Sequence, residues 1–229
     1  MTSLLIQNYT NFHIVFLDDN SDDGNLQRTK EFLDINGFPR NRVTYVQNLE
    51  RKYASYNLVH AGQSYCGDKD IQIMLDGDDS YIGKQPLQIF NAVYQNNKDI
   101  WVAYSNYFSD KYTYGESKPI NYGLDDENGK RKIGHFIGLI RSWYAKLIKL
   151  IPLKYHQYQN GSWLTSMTDD AMQYSLYELA GNDRILYIPE ILHLYSMDYG
   201  DNIYSSKSRE KLRRETHIYI TSLERNKKL

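Results

Sequence analysis

The chain lacks the sequence features of several large classes of protein. It has one cysteine, Cys66, so it can form neither an internal disulfide framework nor a cysteine-built zinc site. No apolar run reaches the roughly 18 residues of a membrane-spanning helix. The first residues also lack the basic start and the long apolar stretch of a signal peptide. We therefore expect a cytoplasmic protein without a transmembrane segment.

Charge and composition further limit the class of protein and its possible partners. The 229 residues carry a formal net charge of −1, which gives no electrostatic reason to bind nucleic acid or an anionic membrane. With 41% hydrophobic and 24% charged residues, the chain can bury the core of one globular domain. We therefore expect one main domain, and no nucleic acid as a partner.

Short apolar segments alternate with amphipathic segments over the first 107 residues. The apolar segments, such as "FHIVFL" and "DIQIMLD", have the length of strands and precede turn-forming residues. The segments between them carry apolar residues at helical spacing. Strands are predicted at 12–17, 42–47, 70–76 and 99–107, and helices at 26–35, 51–65 and 86–97. This alternation predicts an α/β domain with a mostly parallel sheet flanked by helices.

The second half of the chain departs from this alternation. Residues 108–132 are polar and rich in turn formers, which indicates a long loop, and 134–151 contains an amphipathic helix. A further helix is predicted over 168–181, with Thr168 as its N-cap. Two short strands are predicted on either side of Pro189. The predicted divisions are 1–203 for the α/β domain and 204–229 for a charged amphipathic C-terminal helix.

Acidic residues stand at three places in this pattern. Asp76, Asp78 and Asp79 follow an apolar strand directly, and they are either turn formers or oxygen ligands of a hard cation such as Mg²⁺ or Mn²⁺. A second strand ends in Asp18–Asp19, and the carboxyl ends of parallel strands border the ligand crevice of such a sheet. The third group, Asp169–Asp170, opens a helix, where the helix dipole favours negative charge by itself.

Two other acidic motifs compete with these interpretations. The loop that begins at Asp19 fits the first positions of an EF-hand, but its twelfth position is Lys30 rather than Glu, so we reject that motif. The stretch "IMLDGDDS" is similar to the nucleophile strand of haloacid-dehalogenase-type phosphatases. Asp79 and Ser80 replace the Gly and Thr of that family, however, and "DDNSDDG" stays unexplained. A metal-dependent phosphatase is therefore an alternative only.

Four segments follow the pattern of one known family in order and spacing. They are "SLLIQNYTNFHIVFLDDNSDDG", "ASYN", "LDGDDSY" and "TDDAMQYSLYELAG". Together they resemble the family-2 glycosyltransferases of GT-A fold over residues 3–200. The resemblance implies a GT-A-like domain that transfers a sugar from a nucleotide-diphosphate sugar, most simply a UDP-sugar, with inversion and with Mn²⁺ or Mg²⁺.

The resemblance also implies roles for the residues of the donor site. Asp78 and Asp79 correspond to the metal ligands, and Asp76 lies close to the ribose or to metal-bound water. Asp19 corresponds to the residue that accepts a hydrogen bond from the nucleotide base. A bound cation would relieve the repulsion between the clustered carboxylates, which explains why they stand together.

Further residues complete the implied site. Arg51 and Asn57 are expected to line the nucleotide pocket. Asp170 matches the catalytic base by its distance to Gly181, and Asp169 occupies the preceding acidic position. The acceptor, which could be a glycan, a protein or a lipid, is not indicated by the sequence. Its contacts are expected in residues 108–132 and 140–165.

Two departures from the family pattern qualify the resemblance. Many relatives carry an Arg-x-His after the last strand, where this chain has Ser196 and Asp198, so Asp198 either replaces the His as a ligand or has no role. His193 and His135 are interpreted as structural. Relatives also begin with a strand that precedes "MTSLL". We therefore expect an N-terminally shortened domain in which the strand 12–17 has an open edge, and a catalytically inactive nucleotide-sugar-binding module is a second alternative.

Overall fold

The computed structural model describes residues 1–109, 140–196 and 207–229. Within these ranges the chain forms seven β-strands and seven α-helices, which confirms the predicted α/β class. The strands are β1 Ile14–Asp18, β2 Val43–Gln47, β3 Ile71–Ile73, β4 Ser80–Tyr81, β5 Val102–Ser109, β6 Ile140–Tyr144 and β7 Ile185–Tyr195. The helices are α1 Thr2–Leu5, α2 Asn25–Ile35, α3 Tyr53–Tyr65, α4 Pro86–Asn96, α5 Ala145–Leu150, α6 Thr168–Ala180 and α7 Lys207–Ser222.

The first two strands form a small parallel sheet of their own. β1 and β2 pair in register from Ile14 to Asp18, and α2 connects them. Among the described residues β1 pairs with β2 alone, so its other edge is open there, as the sequence predicted. Both strands end on the same side, and the backbone N–H of Asn48 donates to the carbonyl oxygen of Asp18 at 2.9 Å. Polar residues that follow the two strands are therefore neighbours.

The remaining five strands form a mixed sheet in the order β3-β6-β5-β7-β4. Only β5 and β7 run parallel in this sheet, and the other three pairings are antiparallel. The sequence predicted a mostly parallel sheet from the alternation of strands and helices over the first 107 residues, and it assigned no strand to 134–151. In the structure, residues 140–144 form β6, which inserts between β3 and β5 and reverses the strand direction there.

The strand that contains Pro189 is also different from the prediction. Two short strands were expected, but β7 is one strand of 11 residues. Its pairing with β5 shifts from Ile188 opposite Ser105 to Ile191 opposite Asn106. Pro189 and its neighbour are exposed at this irregularity. A proline has no N–H to donate, and a bulge lets the strand continue past it.

Helices cover both faces of the larger sheet. Val102 and Tyr104 of β5 point into a core cluster with α3, α5 and α6, whereas Ala103 points into a second cluster with α4. All three side chains are fully buried. Successive strand residues face opposite sides, so β5 is a central strand with a core on each side. The same packing holds α3 and α6, whose N-termini carry candidate site residues.

The chain after α7 folds back onto the end of α6. The N–H of Leu229 donates to the carbonyl oxygen of Leu179 at 3.1 Å, and the N–H of Asn226 donates to Glu178 Oε2 at 2.8 Å. Arg184 Nη1 donates to the carbonyl oxygen of Leu229 at 2.7 Å. These contacts join the last residues of the chain to the α/β domain. The predicted division between that domain (1–203) and a separate C-terminal helix (204–229) therefore stays a prediction. No helix in the described ranges has both the length and the apolarity needed to cross a bilayer.

One buried histidine makes the stability of this fold depend on pH. His156 is fully buried, and neither of its ring nitrogens has a hydrogen-bond partner in the described part of the chain. Burial lowers the pKa of His156 from 6.5 to about 4, because a charged imidazolium loses its hydration there. The unfolded chain therefore binds more protons between these two pKa values, and stability falls as the pH decreases through that window.

We expect the free energy of unfolding to fall by about 2 kcal/mol between pH 7 and pH 5 through this histidine alone. Urea unfolding at both pH values measures the fall. His156→Gln should remove most of it, because glutamine does not titrate. His13→Gln, at an exposed histidine, controls for the loss of an imidazole. An unchanged pH dependence in His156→Gln would contradict the prediction.

Candidate functional site

Asp19 caps the start of α3 at the carboxyl end of β1. Its Oδ1 accepts from the N–H of Lys52 at 2.8 Å and from Asn48 Nδ2 at 2.7 Å, and its Oδ2 accepts from the N–H of Tyr53 at 2.8 Å. Partial burial raises the pKa of Asp19, but hydrogen bonding from Lys52, Asn48, Asn57 and Tyr53 more than offsets this and holds it below its usual value. The carboxylate is thus fixed in position and ionised.

Asn48 is a site residue that the sequence interpretation missed. Its Nδ2 donates to Asp19 Oδ1 and to Asn57 Oδ1, both at 2.7 Å. It therefore brings together two residues that the sequence did predict. Its position directly after a predicted strand was the signal that could have found it. Arg51, in contrast, is exposed, with its guanidinium 5.5 Å from the centre of the Tyr53 ring.

The backbone is strained next to two of the three acidic motifs. Among the described non-glycine residues, Asn20, Tyr53 and Met167 have positive φ angles of 61°, 68° and 53°. Asn20 follows Asp19, the N–H of Tyr53 donates to Asp19, and Met167 precedes the helix with Asp169–Asp170. Such backbone costs ~1–3 kcal/mol per residue and clusters at functional sites. The strain therefore supports a site at these motifs.

The capping role of Asp19 predicts a cost in stability. We expect Asp19→Ala to lower the free energy of unfolding by about 1–2 kcal/mol, because the first N–H groups of α3 lose their acceptor. Denaturant unfolding measures the change. Asp22→Ala, at an exposed acidic residue of the same loop, should change it much less. Equal effects of the two substitutions would show that Asp19 does not hold α3.

The second acidic motif is a tight turn between β3 and β4. The N–H of Asp79 donates to the carbonyl oxygen of Asp76 at 3.1 Å, so Gly77 and Asp78 form the corner. Asp78 is exposed and Asp76 is half-buried, whereas Asp79 is buried. The three carboxylates of the turn therefore differ in their exposure to solvent, which the sequence alone could not indicate.

Asp79 is held by the end of β7. His193 Nε2 donates to Asp79 Oδ2 at 2.6 Å, and the backbone N–H of Ser196 donates to Asp79 Oδ1 at 3.0 Å. The side chains of Asp79 and His193 are 0% and 2% exposed. The structural interpretation of His193 is consistent with this position. Asp79 thus ties the acidic turn to β7.

The residues present fit a divalent cation by the chemistry of their donors. Within 1–109, 140–196 and 207–229, no three His, Cys, Asp or Glu side chains gather closely enough to hold a metal ion by themselves. Mg²⁺-type sites, however, often use one or two carboxylates and take their other ligands from substrate phosphates and water. Asp76 and Asp78, at the accessible part of the turn, match such a site.

The third acidic motif lies in the first turn of α6. Asp169 and Asp170 are both half-buried there. The predicted N-cap was wrong: Met167 occupies the cap position, and Thr168 is the first residue of the helix. Gly181 ends the helix with a φ of 74°, and its N–H donates to the carbonyl oxygen of Tyr177, so the predicted end is confirmed. The spacing that identified Asp170 is therefore preserved.

Several predicted residues cannot be placed. Asp198 and His135 lie outside the described residues, as does most of the 108–132 segment expected to contact the acceptor. In the described part, the contacts join Asp19 to Asn57 through Asn48 and tie Asp79 to the end of β7. The roles of Asp19, Arg51, Asn57, Asp76, Asp78, Asp79, Asp169 and Asp170 remain predictions.

Comparison with known structures agrees with the α/β architecture. The chain is similar to the crystal structure of GalNAc-T7 with UDP, GalNAc and Mn²⁺, with a TM-score of 0.52 and 14% sequence identity. The similarity covers 91% of this chain and 42% of that chain, so this chain spans less than half the length of that protein. At this identity the comparison shows the shared GT-A-like fold. No curated protein matches the chain.

Comparison with family models identifies the family directly. The model described as glycosyl transferase family 2 matches residues 1–151. This range contains three of the four segments that carried the resemblance in the sequence, namely those with Asp19, with Asn57 and with the acidic turn at 76–79. The segment with Asp169–Asp170 lies outside it. The chain therefore belongs to glycosyl transferase family 2.

Proposed function

We propose that this protein transfers a sugar from a UDP-sugar to an acceptor hydroxyl group, in a single displacement that depends on Mn²⁺ or Mg²⁺. Membership of glycosyl transferase family 2 supports sugar transfer, and the GalNAc-T7 structure of similar fold contains UDP and Mn²⁺. The observation that carries the proposal is the accessible acidic turn at 76–79, which follows β3 and provides carboxylates for a metal diphosphate.

One group of residues binds the UDP-sugar donor, and a second group acts on the acceptor. Asp19, held by Asn48 and the start of α3, accepts a hydrogen bond from the imide N–H of uracil. Asn57 and Arg51 line the nucleotide pocket beside it. Asp76 and Asp78 face the diphosphate. A divalent cation bound there would act as a Lewis acid and stabilise the negative charge of the departing diphosphate.

Asp170 serves the acceptor side as the general base. It accepts the proton of the acceptor hydroxyl while the hydroxyl oxygen forms a bond to the anomeric carbon, and the bond from that carbon to the diphosphate breaks. Attack from the face opposite the leaving group inverts the anomeric centre. Asp169, one position earlier in the same helical turn, adds negative charge at the helix N-terminus.

The two earlier alternatives have different support. The phosphatase alternative loses its basis because the matched residues belong to glycosyl transferase family 2. An inactive nucleotide-sugar-binding module differs from the proposal only in turnover, so binding and turnover must be measured separately. The acceptor class, whether glycan, protein or lipid, stays open.

Calorimetric titration with UDP, with and without Mn²⁺, tests the proposal most directly. Binding that requires Mn²⁺, followed by UDP release from a UDP-sugar, would support it. Metal-dependent binding without UDP release would support the inactive module. Hydrolysis of a phosphomonoester without UDP binding would support the phosphatase and overturn the proposal.

A further inference from the structure

The acidic turn contains one carboxylate whose environment differs from the other two. Both oxygens of Asp79 accept hydrogen bonds, Oδ2 from His193 Nε2 at 2.6 Å and Oδ1 from the N–H of Ser196 at 3.0 Å. Its side chain has no exposed surface. Because this carboxylate has no exposed surface, it would have to move to meet a metal diphosphate in the crevice, and the move would strain or break these two buried hydrogen bonds.

The position of the pair in the fold explains what it can do instead. β4 has only two residues, and it pairs with β7 through Ser80 opposite Leu194 and Tyr81 opposite His193. So short a strand gives little backbone pairing to hold the turn that precedes it. The Asp79 side chain adds two hydrogen bonds to β7 directly at the end of the turn.

We propose that Asp79 and His193 are positioning residues: together they fix the turn at 76–79 so that Asp76 and Asp78 are presented to the metal diphosphate, and Asp79 does not ligate the metal. This inference rests on the proposed function. It reassigns one of the two metal ligands that the sequence pattern implied. Side chains that orient ligands from behind commonly change metal affinity by ~10–100-fold when they are replaced.

The unpartnered ring nitrogen of His193 suggests a diagnostic substitution. In the described part of the chain, His193 Nδ1 is buried and has no hydrogen-bond partner. The imidazole can therefore carry its proton on Nδ1 and accept at Nε2 without breaking another hydrogen bond. In Asp79→Asn, the amide group would donate to Nε2 while its oxygen accepts from the N–H of Ser196. The pair is then kept, but the charge that a metal ligand needs is lost.

The experiment compares four variants and one control variant by titration with UDP in Mn²⁺ and by melting temperature in EDTA. We expect Asp79→Asn to weaken Mn²⁺-dependent UDP binding by less than about tenfold and Asp78→Asn by ~100-fold or more, since Asp78 is a ligand and Asp79 is not. His193→Leu should weaken binding by ~10–100-fold and lower the EDTA melting temperature. His193→Gln, whose Nε2 can donate to Asp79, should restore both. Asp183→Asn, at an exposed carboxylate paired with Lys228, is the charge-matched control.

Each contrary outcome has its own meaning. If Asp79→Asn loses binding as strongly as Asp78→Asn, Asp79 is a ligand and the inference is wrong. If His193→Leu lowers the melting temperature but leaves binding unchanged, the pair is structural only, and the inference is also wrong. If His193→Leu does not fold, Asp79→Asn and His193→Gln still decide the question. Failure of the wild-type protein to bind UDP in Mn²⁺ would refute the proposed function itself.

Discussion

Asp170→Asn is expected to reduce turnover by ~10²–10⁴, the range for loss of a positioned general base. Asparagine preserves the shape of the side chain but cannot take the proton of the acceptor hydroxyl. UDP affinity should change only slightly, because the base faces the acceptor rather than the nucleotide. Initial rates of UDP release from a UDP-sugar, together with calorimetric titration with UDP, separate the two effects.

Asp169→Asn is the matched control, because it removes the same charge from the same helical turn. Loss of one carboxylate near the N-terminus of α6 should cost about 0.3–1 kcal/mol of stability through the helix dipole in either variant. If Asp169→Asn is inactive and Asp170→Asn is active, the general base is Asp169 rather than Asp170. Two active variants would show that the pair only complements the helix dipole.

The fold could be predicted from the sequence where local pattern and tertiary role agree. β1, β2 and α4 lie within two residues of their predicted ends, since each combines a clear periodicity with turn formers on both sides. Residues 140–144 were not recognised as a strand, because "IRSWY" joins the helical segment 145–150 without a break. Their pairing with β3 and β5 depends on partners about 40 to 70 residues earlier in the chain, which local periodicity does not contain.

The candidate site shows the same limit at the level of side chains. The pattern of Asp76, Asp78 and Asp79 indicated an acidic turn after a strand, and the structure places it there. The pattern could not distinguish the three carboxylates, because the side chain that holds Asp79 is His193, 114 residues later. Asn48 was overlooked for a related reason: an asparagine after a strand is usually a turn former, and its two acceptors become visible only in three dimensions.

The largest effect on donor binding is expected from Asp78→Ala. This substitution should abolish the Mn²⁺-dependent part of UDP binding, because an exposed carboxylate at the corner of the turn is lost. The free energy of unfolding in EDTA should change by no more than about 0.5 kcal/mol, as for most exposed positions. Loss of a negative charge between Asp76 and Asp79 even favours a slight increase. Calorimetry and denaturant unfolding measure the two quantities.

Asp78→Asn separates a metal ligand from a turn former at this position. Asparagine forms turns as readily as aspartate, so Asp78→Asn should recover any stability that Asp78→Ala loses if the residue only shapes the turn. A neutral amide is, however, a much weaker ligand than a carboxylate for a hard cation. The metal interpretation therefore requires that both variants lose Mn²⁺-dependent binding while both stay stable in EDTA. Normal binding by Asp78→Asn, with marked destabilisation in Asp78→Ala, would assign Asp78 to the turn alone.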